Sequence, residues 1–302
     1  MVIDKLIEQI MAKRNPCIVG IDPEWSKIPE CYKIEETTKT EAIKKWAEDV
    51  IDAVADIVPA VKPQMAFFEV FGSSGVAAFE HIVGYAHEKG LIVVDDSKRN
   101  DIGNTASAYA FAHLSKNGPI NADFLTVSPF LGTDSLQPFI DLSASEGKGL
   151  FVLVKTSNPS SVEISEAIRS DGNTVREWLA NYVHSIGNDL CEKNGYSSVG
   201  AVIGATFPKE AEQLRMKMKN NYFLVPGFGA QGGGVKDVVA CFNEDGLGAV
   251  VNSSRGVIYH HLKVTAYDGT RERYLEIVRE QAVKMQREIY GALKEQYGEM
   301  KY

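Results

Sequence analysis

The sequence contains little cysteine, no long apolar run and no excess of positive charge. Its 302 residues include only Cys17, Cys31, Cys191 and Cys241, with no C-x-x-C pair, so neither a disulfide framework nor a zinc site is predicted. No apolar stretch approaches the roughly 18 residues of a membrane span. The net charge of −8 argues against a general nucleic-acid or anionic-membrane surface. An anionic ligand would therefore need a local basic pocket.

The remaining composition is typical of an ordinary globular protein, with 44% hydrophobic and 24% charged residues. The first segment, Met1 to Pro16, is amphipathic and carries charges such as Asp4, Glu8 and Lys13, which a secretion signal would lack in its apolar part. We therefore expect a cytoplasmic protein.

Short apolar runs recur along the whole chain and predict buried strands. Near-continuous hydrophobicity, as in Leu91 to Val94, is typical of strands that are covered on both faces, which occur in parallel sheets flanked by helices. The runs are Cys17 to Asp22, Val58 to Gln64, Leu91 to Asp96, Ala122 to Ser128, Leu150 to Thr156, Val199 to Gly204, Tyr222 to Pro226 and Gly248 to Ser253.

Helical patterns separate these runs, and the strand starts recur about every 33 residues, the length of a strand–helix unit. Eight such units predict an α/β fold, a single (β/α)8 TIM barrel that forms one domain over residues 1–302. The longest gap lies between the fifth and sixth strands. A helix near Asn173 to Lys193, with Thr174 and Glu177 as its capping box, is predicted as an insertion there.

Ionisable residues close the first three predicted strands, at the end of a barrel where catalytic residues lie. Asp22 ends the first strand and Lys62 the second, and Asp96 and Lys98 follow the third. The period of two in a strand predicts that Asp96 and Lys98 lie side by side. The structural alternative is a surface ion pair, worth at most about 1 kcal/mol.

A glycine-rich segment, Pro226 to Gly234, follows the seventh strand and precedes a predicted helix. Glycines let backbone amides approach an anion, and a helix N-terminus adds positive potential, so the segment is a candidate phosphate site and lid. It also matches G-x-G-x-x-G, but only one strand follows, which argues against a dinucleotide-binding fold.

Two further strand ends carry candidate residues. Arg255, in Asn252-Ser253-Ser254-Arg255-Gly256 after the eighth strand, is placed to donate charge-assisted hydrogen bonds to a phosphate. Lys155 ends the fifth strand and could form a Schiff base, as in an aldolase. His260-His261 has no partner at metal-ligand spacing, so no metal site is predicted.

The segment Asp96-Ser97-Lys98-Arg99-Asn100-Asp101-Ile102 resembles the D-x-K-x-x-D-I signature of the orotidine 5′-phosphate decarboxylase family. The resemblance covers the whole chain, and the segment Lys155 to Ser161 resembles the longer bacterial (type 2) subfamily. Asn100 stands where that subfamily usually has glycine. Because Asn tolerates positive φ, we expect the turn before Asp101 to be preserved.

The resemblance implies a set of site residues and a homodimer without a cofactor. It makes Lys98 the proton donor, flanked by Asp96 and Lys62, and lets Asp101 reach the neighbouring subunit's site. It assigns the ribose to Asp22, Lys62 and the partner subunit's Thr105, and the pyrimidine to Ser157. It assigns the phosphate to Gln231 and Arg255, with amides near Gly232 and Ser254, and Pro226 also joins the substrate-binding set.

The implied reaction is the decarboxylation of orotidine 5′-phosphate to uridine 5′-phosphate (UMP) and carbon dioxide, the last step of de novo UMP synthesis. A fixed ammonium, that of Lys98, would stabilise and then protonate the C6 carbanion. Asp96 would repel the substrate carboxylate until it leaves. Two alternatives stay open: a metal-dependent sugar-phosphate decarboxylase or epimerase of the same barrel group, and a nucleotide-sensing module without turnover.

Overall fold

Eight parallel strands close into a barrel. The structure is a computed structural model, and it describes residues 1–229 and 234–302. The strands pair in chain order, and the last pairs with the first, so that Ile18 lies opposite Asn252. The strands are β1 (Cys17–Ile21), β2 (Ala60–Pro63), β3 (Ile92–Arg99), β4 (Phe124–Val127), β5 (Gly149–Lys155), β6 (Ser197–Ile203), β7 (Asn221–Val225) and β8 (Ala249–Ser253).

The predicted barrel and each of its eight strands are confirmed. The largest difference in bounds is at β3, which was expected to end at Asp96 and continues to Arg99. The extension arises because Arg99 pairs with Val127 of β4 after a shift in register that begins at Asp95.

Helices connect the strands and cover the barrel. The α-helices are α1 (Val2–Lys13), α2 (Glu30–Glu35), α3 (Lys39–Val54), α4 (Met65–Glu69), α5 (Gly72–Glu88), α6 (Gly103–Leu114), α7 (Gln137–Glu146), α8 (Val162–Ser165), α9 (Val175–Asn188), α10 (Pro208–Lys217), α11 (Val235–Val239), α12 (Arg255–Ile258) and α13 (Arg271–Tyr297). Short 3₁₀ helices span Trp25–Lys27, Thr133–Ser135, Pro159–Ser161 and His260–Lys263.

The apolar core has two layers, which explains why the strands are apolar on both faces. Inside the barrel, Ile18, Val94 and Phe124 pack together with α1, whose apolar face closes the amino end of the barrel. Between barrel and helices, α3 buries one apolar face, which includes Ile43, Val50 and Val54. Trp46 of α3 donates a 2.7 Å hydrogen bond to the hydroxyl of Tyr274 on α13, a long helix that was not predicted from the sequence.

The insertion between β5 and β6 contains the predicted helix. α9 begins after Thr174, whose hydroxyl accepts from the Glu177 amide at 3.1 Å while the Glu177 carboxylate accepts from the Thr174 amide at 3.1 Å. The helix ends at Asn188 rather than near Lys193. Within the described ranges all four cysteines are free, and no helix is both long enough and apolar enough to cross a membrane.

Candidate active site

A cavity of about 440 Å³ opens at the carboxyl ends of the strands, where barrel enzymes place their chemistry. Apolar side chains, among them Leu153, Val202 and Leu224, line part of it, and charged side chains from β1, β2 and β3 line another part. Eight of the predicted site residues line this cavity: Asp22, Lys62, Asp96, Lys98, Ser157, Pro226, Ser254 and Arg255.

Asp96 lies between two ammonium groups. The Nζ atom of Lys62 is 2.6 Å from Oδ2 of Asp96, and the Nζ atom of Lys98 is 2.5 Å from Oδ1. The side chains of Lys62 and Asp96 are only 5% and 10% exposed, whereas that of Lys98 is 43% exposed. The alternative of a surface ion pair is therefore wrong, since the carboxylate is buried and only Lys98 is open to the cavity.

The electrostatics keep this array charged. Burial alone would raise the pKa of Asp96, but the adjacent Lys62 and Lys98 lower it well below its usual value. Burial opposes the charged form of Lys62, yet Asp96 and Asp22 raise the pKa of Lys62 above its usual value. The Lys62–Asp96 pair is therefore ionised at neutral pH. These two buried charges set the electric field at the Lys98 ammonium.

Asp22 presents an unsatisfied oxygen at the same site. Burial raises the pKa of Asp22, opposed mainly by the positive charge of Lys62 and by a hydrogen bond from Ser254. Its buried Oδ1 atom has no hydrogen-bond partner within the described part of the chain. A buried acceptor without a partner is costly, so this oxygen is suited to a hydroxyl donor from a ligand or a water.

The position of Lys98 depends on an irregular end of β3. Its backbone has φ 48°, which is unusual for a non-glycine residue, within the stretch where the β3–β4 register shifts. The Lys98 amide donates to the hydroxyl of Thr126 at 2.9 Å, and that hydroxyl lies 3.1 Å from Oδ1 of Asp96. Thr126 thus links the backbone of one charged residue to the side chain of the other.

Three further polar residues of the site were not predicted from the sequence. Gln64 donates to Oδ2 of Asp96 at 2.9 Å, and Thr126 anchors Lys98. Asn252 lines the cavity, is 6% exposed, and its Oδ1 atom has no partner in the described ranges. The available signal was position, because each lies at or near the carboxyl end of a strand in an otherwise apolar run.

Two glycines allow strands to approach closely at the site. A Cβ atom on Gly20 of β1 would lie 1.8 Å from the Ser254 hydroxyl oxygen, and one on Gly204 after β6 would lie 2.7 Å from the Ser157 Cα atom. Only glycine therefore leaves room for these two predicted ligand residues at their observed positions.

Arg255 lines the cavity shortly after β8. It is exposed, begins the short helix α12 and forms no ion pair with any residue in the described ranges. Its guanidinium is thus open to an anion, as the phosphate prediction requires. Gln231 and Gly232 lie outside the described residues, so their roles stay predictions.

Asp101 and Thr105 do not line the cavity of the single chain. Oδ1 of Asp101 accepts from the Ile102 amide at 2.8 Å, and Thr105 is exposed on α6. Their predicted roles need a second subunit. Asn100 does not have a positive φ, which lies at Lys98 and at Gly103 instead, so tolerance of positive φ is not what Asn100 provides, and the preserved turn stays a prediction.

Lys155 does not line the cavity, which removes the geometric basis of a Schiff-base aldolase. Its Nζ atom is 2.7 Å from the Ser165 hydroxyl and 3.1 Å from Oε1 of Glu166, and lies 4.1 Å from the centre of the Phe207 ring. The side chain is fully buried. Within the described ranges no three His, Cys, Asp or Glu side chains come together as a metal-ligand set.

Fold and site together define a (β/α)8-barrel enzyme with opposed charges at the carboxyl ends of its strands. Residues 16–269 match the model of the Orotidine 5′-phosphate decarboxylase / HUMPS family, and the chain belongs to that family.

Relatives in this family cover nearly the whole chain. An orotidine 5′-phosphate decarboxylase of Rhodopirellula baltica is 40% identical over 90% of this chain and 93% of the relative. One of Clostridium novyi is 37% identical over 96% and 98%. A crystal structure from Streptomyces avermitilis, provisionally given the same enzyme name, has a TM-score of 0.81 at 35% identity and covers 96% of this chain and 95% of that one.

Proposed function

We propose that the protein decarboxylates orotidine 5′-phosphate to UMP and carbon dioxide without a cofactor, as the last step of de novo UMP synthesis. One observation carries the proposal beyond family membership: the Lys98 ammonium, open to the cavity, sits 2.5 Å from a carboxylate that a second, buried lysine holds ionised. A site that only binds a nucleotide has no need of opposed charges beside its ligand.

The proposed chemistry needs only the residues of this site. The bond between C6 and the carboxylate breaks, carbon dioxide leaves, and the electron pair stays on C6. Lys98 stabilises that charge and donates its proton to C6, after which the amine takes a proton from water. Asp96, which cannot move away from its two ammonium partners, repels the substrate carboxylate, and the repulsion ends when carbon dioxide departs.

The remaining site residues bind the substrate in this proposal. The unpartnered oxygen of Asp22 accepts a hydrogen bond from a ribose hydroxyl, and the ammonium of Lys62 donates one to a ribose hydroxyl. Ser157 forms a hydrogen bond with the pyrimidine. Arg255 binds the phosphate, aided by Gln231, the Gly232 and Ser254 amides and Pro226. Binding energy from the remote phosphate then supports desolvation and orientation at C6.

A second subunit completes the site in this proposal. Residues 1–302 form one barrel domain, the partner subunit's Asp101 reaches into the site, and the partner subunit's Thr105 binds the ribose. Thr105 is exposed, Asp101 is partly exposed, and the neighbouring Ile102 is 57% exposed, which supports a contact surface on this side of the barrel. No nucleic acid or membrane partner is proposed.

The test is the loss of substrate absorbance when orotidine 5′-phosphate is added to enzyme treated with a chelator. We expect turnover that the chelator does not change. Loss of activity that added divalent metal restores would contradict the reaction without a cofactor, and binding of UMP without any turnover would favour the sensing module.

A further inference from the structure

The outward face of β3 carries a polar chain that the proposed reaction does not use. Asp95, Ser97 and Arg99 alternate with the cavity residues and do not line the cavity. Asp95 is fully buried, and the Ser97 hydroxyl donates to its Oδ1 atom. Burying a carboxylate is costly unless it is well paired, so its partners indicate what it is for.

The main partner is His113 on α6. Its Nδ1 atom lies 2.6 Å from Oδ2 of Asp95, and its Nε2 atom lies 3.1 Å from Nε of Arg99. Because Nε of arginine can only donate, Nε2 of His113 accepts, and Nδ1 carries the hydrogen that is donated to Asp95. His113 is only 4% exposed, and both of its ring nitrogens form hydrogen bonds inside the protein.

The chain continues to a third element. A terminal nitrogen of Arg99 lies 2.9 Å from Oε1 of Glu69, the last residue of α4, and the guanidinium carbon lies 5.5 Å from the centre of the Tyr109 ring. The end of β3 is therefore tied to α6 and α4 by hydrogen bonds on its outer face.

These hydrogen bonds lie on both sides of Lys98, whose backbone is strained. Lys98 has φ 48° and lies between Ser97 and Arg99, both of which are bonded into the outer chain. A non-glycine residue rarely adopts this region and persists there only where its surroundings hold it. Inside the barrel, the Lys98 amide donates to the Thr126 hydroxyl at 2.9 Å.

We propose that the Asp95–His113 pair is a positioning device that fixes the β3 end and so holds the Lys98 ammonium at its place in the cavity. The inference rests on the proposed function. Neither residue touches the cavity, so each acts through Lys98 and not on the substrate.

The test compares His113→Leu, which removes both ring contacts, with His113→Asn, whose amide nitrogen replaces Nδ1 as the donor to Asp95. We expect His113→Leu to lower kcat by about 10²-fold, because small displacements of a reacting group have effects of this size. The Kd for UMP should change by less than about twofold, since the binding residues lie on other strands. His113→Asn should recover most of the loss in kcat.

His87→Leu is the matched control. Nε2 of His87 lies 2.9 Å from Oδ2 of Asp123, and that oxygen accepts from the Val93 amide, so the same kind of pair supports β3 at the other end of the strand. We expect this variant to lower the Tm and leave kcat unchanged. A positioning role and a purely structural one therefore differ in kcat and not in Tm.

Arg99→Met provides a second variant in case His113→Leu does not fold, since it removes the donor to Nε2 of His113 together with the ion pair to Glu69 and leaves the Asp95–His113 contact in place. We expect its kcat to fall by about 10-fold at unchanged Kd for UMP. Full kcat in folded His113→Leu, or in Arg99→Met, would overturn the positioning role. If the wild-type protein itself does not decarboxylate orotidine 5′-phosphate, the proposed function fails first, and the wild-type assay alone shows this.

Discussion

The Nζ atom of Lys98 lies 2.5 Å from Oδ1 of Asp96, and Oδ2 of the same carboxylate holds Lys62 at 2.6 Å. One carboxylate thus forms ion pairs with two ammonium groups, of which that of Lys62 is buried and that of Lys98 is open to the cavity. Because the buried pair fixes the carboxylate, Lys98 has a defined position before any substrate binds. Preorganisation of this kind is the main source of electrostatic catalysis.

Lys98→Ala should abolish turnover of orotidine 5′-phosphate while the protein still binds UMP. The substitution removes the only group that we propose as proton donor and leaves the phosphate and ribose residues in place. The measurements are the loss of substrate absorbance and a UMP titration. Lys193→Ala is the control, because Lys193 pairs with Glu8 on the exposed surface. Near-normal turnover in Lys98→Ala would refute the role of Lys98.

Asp96→Asn should change how stability depends on pH. The folded-state pKa of Asp96 is lowered, so its ionised form stabilises the native protein above the unfolded pKa of about 3.9, and this contribution is lost as the pH falls towards the folded value. The free energy of unfolding of the wild type should therefore fall more steeply than that of Asp96→Asn below about pH 4.

At neutral pH the same variant should be destabilised by about 3 kcal/mol or more, because it leaves buried Lys62 without its closest counter-ion. Urea unfolding at several pH values measures both effects. Parallel pH profiles for the two proteins would contradict the assignment of the lowered pKa to Asp96.

The barrel and most of the site were predictable because both depend on local sequence. Buried parallel strands require apolar runs, the connecting helices set their spacing, and strand ends such as Lys62 in Val-Lys-Pro can be read directly. Since the carboxyl ends of all eight strands meet at one opening, placing the strands also placed the charges there.

Other features depend on contacts between distant segments and could not be predicted. Lys155 was expected at the barrel opening, but two residues of β5, Val154 and Lys155, lie opposite the step from Val202 to Ile203 on β6, and this irregularity changes the direction of the Lys155 side chain. The φ of Lys98 likewise depends on Thr126 of the neighbouring strand. Alternation assumes a regular ladder, and it fails where the ladder shifts.

Arg255→Ala should lower kcat/KM by a factor that corresponds to about 2–4 kcal/mol, the size of a charged hydrogen bond together with the orientation that phosphate binding supports. Arg279→Ala is the control, because Arg279 pairs with Asp56 on the outer surface. Steady-state kinetics with orotidine 5′-phosphate measure the effect. An unchanged kcat/KM would remove Arg255 from the phosphate site.

Mixing two inactive variants should restore activity if Asp101 acts in the neighbouring subunit. In a mixed dimer of Lys98→Ala and Asp101→Ala, one of the two sites combines an intact Lys98 with an intact Asp101 from the other chain. After subunits exchange at random in an equal mixture, half of the dimers are mixed, so activity should reach about one quarter of the wild-type value. The measurement is turnover before and after exchange, with each variant alone as the control.

Because Asp101 bonds only to the neighbouring Ile102 amide within its own described chain, loss of its carboxylate should leave the fold intact. Two variants that stay inactive after exchange, in a protein that light scattering shows to be dimeric, would mean that Asp101 serves its own subunit.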